Sequence, residues 1–317
     1  MQKVIVICGP TASGKTALSI EVAKKINGEI VSADSMQIYD EMSIGTAKPD
    51  EEEMQGIKHY LVGNISPTRR YSVSDYKNDA TKAIQEIVQK GKMPIVVGGT
   101  GLYVNSLIYG IDYPEIETDL EYRAKLEEIA NEKGLDYLYE MAKKIDEKAM
   151  KNISINDKKR IIRVLEIYKE TGKTKTQMEI DSRKNGVPYD YHVYAIDMPR
   201  EILYDRINKR VDIMIEKGLI EEVEQLYKKY GEQLCTSVQG IGYKEVIDYL
   251  KGKYTKEEMI EKIKLETRRY AKRQLTWFRK IPNIIWLNGL DDIQNNVNII
   301  LEGIEQWRKK QIKKTWK

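Results

Sequence analysis

Hydrophobic positions along this chain follow two rhythms. Residues 3–8 hold the unbroken run Val4-Ile5-Val6-Ile7-Cys8 behind Lys3, which predicts a strand buried on both faces. Over residues 16–26 the apolar positions Leu18, Val22, Ala23 and Ile26 recur at helical spacing. Gly28 stops that helix and opens a second short run, 28–33. Residues 74–90 predict a helix with Ala80, Ala83, Ile84, Ile87 and Val88 on one face, closed by Gly91. Residues 94–99 predict a third buried strand that ends in glycines. Strands alternating with amphipathic helices predict a parallel α/β sheet with right-handed crossovers.

The rhythm changes near residue 112. From there to about residue 189 no buried-strand pattern occurs, and charged amphipathic helices are predicted at 120–132, 137–145 and 156–171. The strand signal returns at 191–196. A helical series fills 200–279, and a last strand at 283–287 precedes a C-terminal helix whose basic tail, 308–317, is expected to fray. The predicted organisation is an α/β core, 1–112 with 190–317, interrupted by a helical insertion, 113–189.

Composition narrows the class. With 317 residues, 41% hydrophobic and 32% charged, the chain can build a sizeable core and still present a polar surface. No stretch approaches the ~20 apolar residues that cross a bilayer, and the first apolar run is too short for a signal peptide. Cys8 and Cys235 are the only cysteines, which excludes a disulfide framework or cysteine metal cluster and fits a reducing compartment. A cytoplasmic protein without membrane association is expected. The net charge of +4 is mild, so its local distribution matters more.

The strongest chemical signal is Gly9-Pro10-Thr11-Ala12-Ser13-Gly14-Lys15-Thr16, a full G-x-x-x-x-G-K-[ST] match lying after a strand and opening a helix. Its glycines let backbone N–H groups curl around phosphate oxygens, helped by the helix N-terminus. Lys15 can reach the outer phosphates, and Thr16 can place its hydroxyl on Mg²⁺. The fold class is therefore α/β, a P-loop NTPase-like parallel-sheet core with a helical insertion domain. The motif does not say which phosphate compound binds.

Ligands of open α/β sheets bind beyond the carboxyl ends of the strands. The second strand ends in Asp34-Ser35-Met36-Gln37, where Asp34 can take a proton, hold a metal through water or cap a turn. The third ends in Gly98-Gly99-Thr100-Gly101, where Thr100 can cap the next helix or touch substrate. A small-molecule kinase could use the same parts, so these residues alone leave that reading open. Further on, Lys264, Arg268 and Lys272 lie four apart, as do Arg269 and Arg273, and the cationic stretch continues to Arg279 and Lys280 with Tyr270 and Trp277 interleaved. With no acidic residue from 268 to 280, the stretch favours a nucleic-acid surface slightly over an ordinary solvated helix face with Trp277 in the core. Arg160 and Arg163, three apart on an insertion helix, could make a second contact, but taken alone the pair reads first as a surface salt-bridge site.

Taken in order, these segments resemble the tRNA dimethylallyltransferases, or isopentenyltransferases. The resemblance rests on the P-loop, on Ser32-Ala33-Asp34-Ser35-Met36-Gln37-Ile38-Tyr39, on Gly45-Thr46-Ala47-Lys48-Pro49 and on Gly98-Gly99-Thr100-Gly101-Leu102-Tyr103. It continues through Lys159-Arg160-Ile161-Ile162-Arg163, Arg206-Ile207 with Arg210-Val211, Gly240-Ile241-Gly242-Tyr243 and Ala271-Lys272-Arg273-Gln274-Leu275-Thr276-Trp277. Lys159 departs from a common Gln. The resemblance implies transfer of a dimethylallyl group from dimethylallyl diphosphate to N6 of the adenosine 3′-adjacent to the anticodon of tRNA. The P-loop then holds a departing diphosphate with Mg²⁺ at Thr16, and Arg210 shares that charge. Asp34 acts as general base, and Thr100 positions substrate. The tRNA anticodon stem-loop is expected against Asp34, Ser35, Met36, Gln37, Thr100, Arg123, Lys159, Arg160, Ile161, Ile162, Arg163, Lys272, Arg273, Gln274 and Arg279. The insertion grips the anticodon arm, and the enzyme is expected to be a monomer.

Overall fold

A computed structural model describes residues 1–113, 119–184 and 186–315; side chains beyond Trp307, and with them the expected fraying of the tail, lie outside the described residues. The chain divides into two compact units, Met1–Asn105 with Pro188–Lys317, and Ser106–Val187.

The first unit is built on six strands, β1 (Lys3–Cys8), β2 (Gly28–Ser32), β3 (His59–Tyr60), β4 (Met93–Gly98), β5 (Asp190–Asp197) and β6 (Ile285–Asn288). They pair in the order β3-β2-β4-β1-β5-β6, every pairing parallel. Helices α1 (Lys15–Ile26), α2 (Glu51–Met54), α3 (Val73–Gln89) and α4 (Gly101–Ile108) come first in the chain. Helices α5 (Leu120–Ile145), α6 (Glu147–Met150), α7 (Lys158–Thr171) and α8 (Lys175–Lys184) belong to the second unit. The chain then returns with α9 (Arg200–Glu216), α10 (Leu219–Tyr230), α11 (Tyr243–Leu250), α12 (Lys256–Phe278) and α13 (Ile293–Thr315).

The apolar runs are explained by burial of the sheet on both faces. Ile5, Ile7, Ile30 and Ile95 pack with Leu18 and Val22 of α1, Leu203 and Ile207 of α9 and Val297 and Ile300 of α13, while α3 packs on β2 and β4. Capping boxes start α3 at Ser72 and α12 at Thr255. Strand β3 was not predicted: two half-buried residues on the sheet edge are too few to show a period.

Parallel pairing puts the carboxyl ends of β1, β2, β4 and β5 on one edge of the sheet. Here Gly98 allows β4 to touch the end of β2, since a Cβ at 98 would lie 2.1 Å from the carbonyl oxygen of Ala33. Ala33 N–H donates to Val97 O (2.7 Å) and Thr100 N–H to Ala33 O (3.1 Å). We expect Gly98→Ala to cost at least the ~1–3 kcal/mol of overpacking, because backbone and not a pliable side chain must yield. Urea unfolding checks this, and an unchanged midpoint would show that the strand ends separate freely.

The second unit is helical. A single long helix, α5, stands where two were predicted, but Gly134 (φ 83°, ψ 163°) breaks its backbone between them. Leu126, Leu138, Ile161, Ile162 and Leu165 form its core. Buried Asp146 caps α6 at Ala149 N (2.9 Å) and accepts from Thr176 N (2.8 Å) and Thr176 Oγ1 (2.7 Å) in the first turn of α8. Among the described residues no helix is long and apolar enough to cross a membrane.

Candidate active site

The loop joining β1 to α1 forms a cradle. Gly14 (φ 90°) precedes α1 without a side-chain cap, so the first amides of the helix and its positive dipole end face outward. Beside them lies a cavity of about 700 Å³ lined by Ser13, Lys15, Thr16, Lys48 and Arg210. The Ser13 hydroxyl is buried there with no hydrogen-bond partner, a donor suited to a phosphate oxygen. Lys15 donates to Pro10 O (2.6 Å). Burial, and then the positive charge of Arg210, bring the Lys15 ammonium down to about 8, against the pull of Asp34. Burial likewise depresses Arg210, whose charge Asp34 and Glu53 support. Two cations held at some cost beside one cavity favour an anionic ligand.

A second cavity, of about 280 Å³, holds Asp34, Thr11, Met36, Tyr270 and Arg273. Asp34 sits in the turn after β2. One of its oxygens, Oδ1, accepts from the amides of Met36 (2.9 Å) and Gln37 (3.3 Å). The other makes no hydrogen bond among the described residues. Asp34 thus caps its turn with one oxygen and leaves the other open toward the cavity. Burial and the nearby Asp34 charge push the Tyr270 phenol up to about 12, so it stays protonated as a donor. Arg210 and Met214 line both cavities, and they mark where a phosphate ligand and a group beside Asp34 would meet.

A loop from Ser43 to Lys48 walls both spaces: Gly45 and Thr46 face the Asp34 cavity, Ala47 and Lys48 the P-loop cavity. Glu222 of α10 fixes it, accepting from Ser43 N (2.9 Å), Ile44 N (2.7 Å), Gly45 N (3.2 Å) and the Tyr243 hydroxyl (2.6 Å). Sequence reasoning missed Glu222 because its partners lie far away in the chain and no local motif marks it. The sequence pattern puts Tyr270 in a cationic stretch as a stacking residue; only the fold shows that it lines the Asp34 cavity.

Other predicted residues are placed differently. Thr100 Oγ1 accepts from Ser35 N (3.0 Å) and donates to Ser35 Oγ (3.3 Å), so it holds the Asp34 turn and lines neither cavity. The Gln37 side chain donates to Thr46 O and Ala47 O. Gln274 is not available to tRNA: it is buried, its Oε1 accepts from Thr11 N (2.9 Å) and its Nε2 donates to Gly99 O (2.9 Å), tying the P-loop to the end of β4. The expected stripe on α12 also divides. Lys264 pairs with Asp212 (2.8 Å) and Arg268 donates to Asn208 (2.6 Å), both on α9, which leaves Lys272, Arg273 and Arg279 exposed. Trp277 packs over Gly101.

In the second unit Lys159 and Arg160 are exposed, Arg160 pairing with Asp157 at 3.3 Å. Ile161 and Ile162 are fully buried, because the helix turns its apolar face to the core, and their side chains cannot meet tRNA. Arg123 is committed to buried Glu166 by two hydrogen bonds, at 2.7 and 3.0 Å, and Arg163 reaches the same carboxylate at 3.4 Å.

A parallel-sheet core whose P-loop cradle shares an arginine with a carboxylate cavity defines a P-loop-fold transferase, equipped to hold a phosphorylated donor beside a group that can take a proton. Comparison with known proteins narrows this class. Residues 37–281 match the IPP transferase family. The chain is 53% identical over 300 residues to a tRNA dimethylallyltransferase of Acetivibrio thermocellus, covering 95% of this chain and 96% of that protein. Among solved structures it is similar to a tRNA isopentenylpyrophosphate transferase of Bacillus halodurans (44% identity, TM-score 0.73, 98% of this chain and 99% of that one). It is also similar to a eukaryotic dimethylallyltransferase acting on tRNA (32% identity, TM-score 0.81, 96% and 80%). The chain belongs to the IPP transferase family.

Proposed function

We propose that this protein transfers the dimethylallyl group of dimethylallyl diphosphate to N6 of the adenosine beside the anticodon of tRNA. The observation that carries the reading is the sharing of Arg210 by the P-loop cavity and the Asp34 cavity. The diphosphate lies in the P-loop against Ser13, Lys15 and Thr16, and its allylic carbon points past Arg210 and Met214. The adenine enters beside Asp34, where it has left its stack as base-modifying enzymes require. N6 attacks the allylic carbon, the carbon–oxygen bond breaks, and diphosphate departs with its charge held by Lys15 and Arg210. The N6 proton passes to the free oxygen of Asp34. The protonated Tyr270 donates to the base and helps fix its orientation.

The described residues contain no group of three or more His, Cys, Asp or Glu side chains that could hold a metal ion. They suit an ion that comes with the diphosphate oxygens and takes the Thr16 hydroxyl as a protein ligand, a common arrangement for Mg²⁺. When bound, Mg²⁺ adds Lewis-acid stabilisation of the leaving group. Lys159, Arg160, Lys272, Arg273 and Arg279 supply charge for the RNA backbone. The protein works as a monomer on one tRNA, in the cytoplasm.

The competing reading, a small-molecule P-loop kinase, predicts ATP turnover instead. Incubation with tRNA, AMP, ATP and radiolabelled dimethylallyl diphosphate separates the two. Label on tRNA alone is expected; ATP consumption without a prenylated product would remove the proposal. The exposed cations make a second prediction. Replacing Lys272 and Arg273 by alanine should weaken tRNA binding and flatten its dependence on log salt by ~0.7 per lost phosphate contact. An unchanged slope would make them ordinary surface charge.

A further inference from the structure

Behind α12, away from the Asp34 cavity, lies a slot that the transfer chemistry does not use. It has a volume of about 190 Å³ and sits between α12 and the first turn of α9. Met198, Leu203 and Leu275 give it an apolar lining, and Tyr204 forms an aromatic wall. Arg200, Lys272 and Arg279 stand around it and are exposed. The Arg200 guanidinium lies 5.7 Å from the centre of the Tyr204 ring. Arg279 reaches Asp197 at only 3.5 Å, and Lys272 forms no ion pair among the described residues. Three cations thus face one carboxylate.

The combination is informative because its parts do different work. An aromatic wall over an apolar floor stacks a planar base, cations at the rim take a phosphate, and a lone carboxylate accepts from an exocyclic amine. A lone phosphate would need no apolar floor, and an apolar ligand would need no cations. The slot is also well placed. Lys272 opens into it while its neighbour Arg273 opens into the Asp34 cavity, so the two spaces flank a single helix about 10–12 Å wide. Nearby nucleotides of a splayed single strand reach across such a width.

We propose that this slot seats a second, unmodified nucleotide of the same RNA strand, with its base on Tyr204 and its phosphate on Arg200 and Lys272. This rests on the reading of the protein as a tRNA prenyltransferase. The slot then works as a specificity subsite, reading the strand beside the target and holding that target flipped out.

The test uses the full chain, labelled dimethylallyl diphosphate and anticodon stem-loop RNAs that carry an abasic sugar at each position near the target adenosine in turn. Base–aromatic stacking is worth ~1–3 kcal/mol, so Tyr204→Ala should raise KM for the intact RNA about tenfold, with KM for dimethylallyl diphosphate unchanged. Tyr204→Phe should restore it. Arg200→Ala, a surface change that leaves the packing of Tyr204 in place, should raise KM in the same direction. One abasic RNA should cost the wild type a similar factor and cost Tyr204→Ala nothing more. If Tyr204→Ala and Arg200→Ala keep the ordinary KM, or if their penalties simply add to that of every abasic RNA, the slot holds no base. Wild-type protein that labels no RNA at all would overturn the prenyltransferase reading itself, and the slot's role with it.

Discussion

Asp34→Ala should lower turnover on tRNA by ~10²–10⁴, the usual loss for a positioned base, while KM for dimethylallyl diphosphate stays near its ordinary value. The structure demands a second variant, because Asp34 has two duties. Its Oδ1 holds the turn through the amides of Met36 and Gln37, and alanine removes that brace along with the base. Asparagine keeps an acceptor oxygen for those amides and cannot take a proton. If Asp34→Asn is as slow as Asp34→Ala, the loss is chemical. If it turns over at a near-normal rate, Asp34 serves as a cap and the proton goes elsewhere. Single-turnover kinetics with tRNA in excess isolates the chemical step, so that slow product release does not hide the difference.

The P-loop, Asp34 and most of the sheet were legible in sequence because each is encoded locally. A buried parallel strand is a run of apolar residues, and the cradle is eight consecutive positions. What escaped was encoded across distance. Glu222 ties down a loop almost 180 positions away in sequence, and no spacing rule anticipates that. Gln274 sits within a cationic stretch and looks like part of it, yet helical geometry turns it inward to the P-loop. The same periodicity explains Ile161 and Ile162, which a contiguous motif groups with Arg160 and Arg163 although a helix must bury them. Lys264 and Arg268 show that four-residue spacing gives a common face without saying whether that face meets solvent or another helix. A recognised segment is therefore a claim about a stretch of chain, and the fold decides which of its side chains can touch a ligand.

Lys15 should give opposite results for activity and stability. Lys15→Met removes a donor to the leaving diphosphate, and such donors are typically worth ~10²–10³ in kcat. In the ligand-free protein, however, the half-buried, desolvated ammonium is a burden: its folded value is about 8 against an ordinary 10.5. Below about pH 8 the group is charged in both states and its burial counts fully against the fold. Between about pH 8 and 10.5 the native protein gives up the proton while the unfolded chain keeps it, so this group's effect on stability improves as pH rises. Wild type should therefore melt below Lys15→Met near pH 7, and the gap should close as pH rises from about 8 through about 10.5. Diphosphate should reverse the order. It binds the ammonium form, holds the proton on Lys15 and stabilises the wild type more than the variant, with an affinity that falls as pH climbs above 8. Melting temperatures of both proteins across this range, with and without inorganic diphosphate, test the argument as a whole. A wild-type minus variant difference that ignores both pH and diphosphate would mean that Lys15 does not face the phosphate cavity as a buried charge.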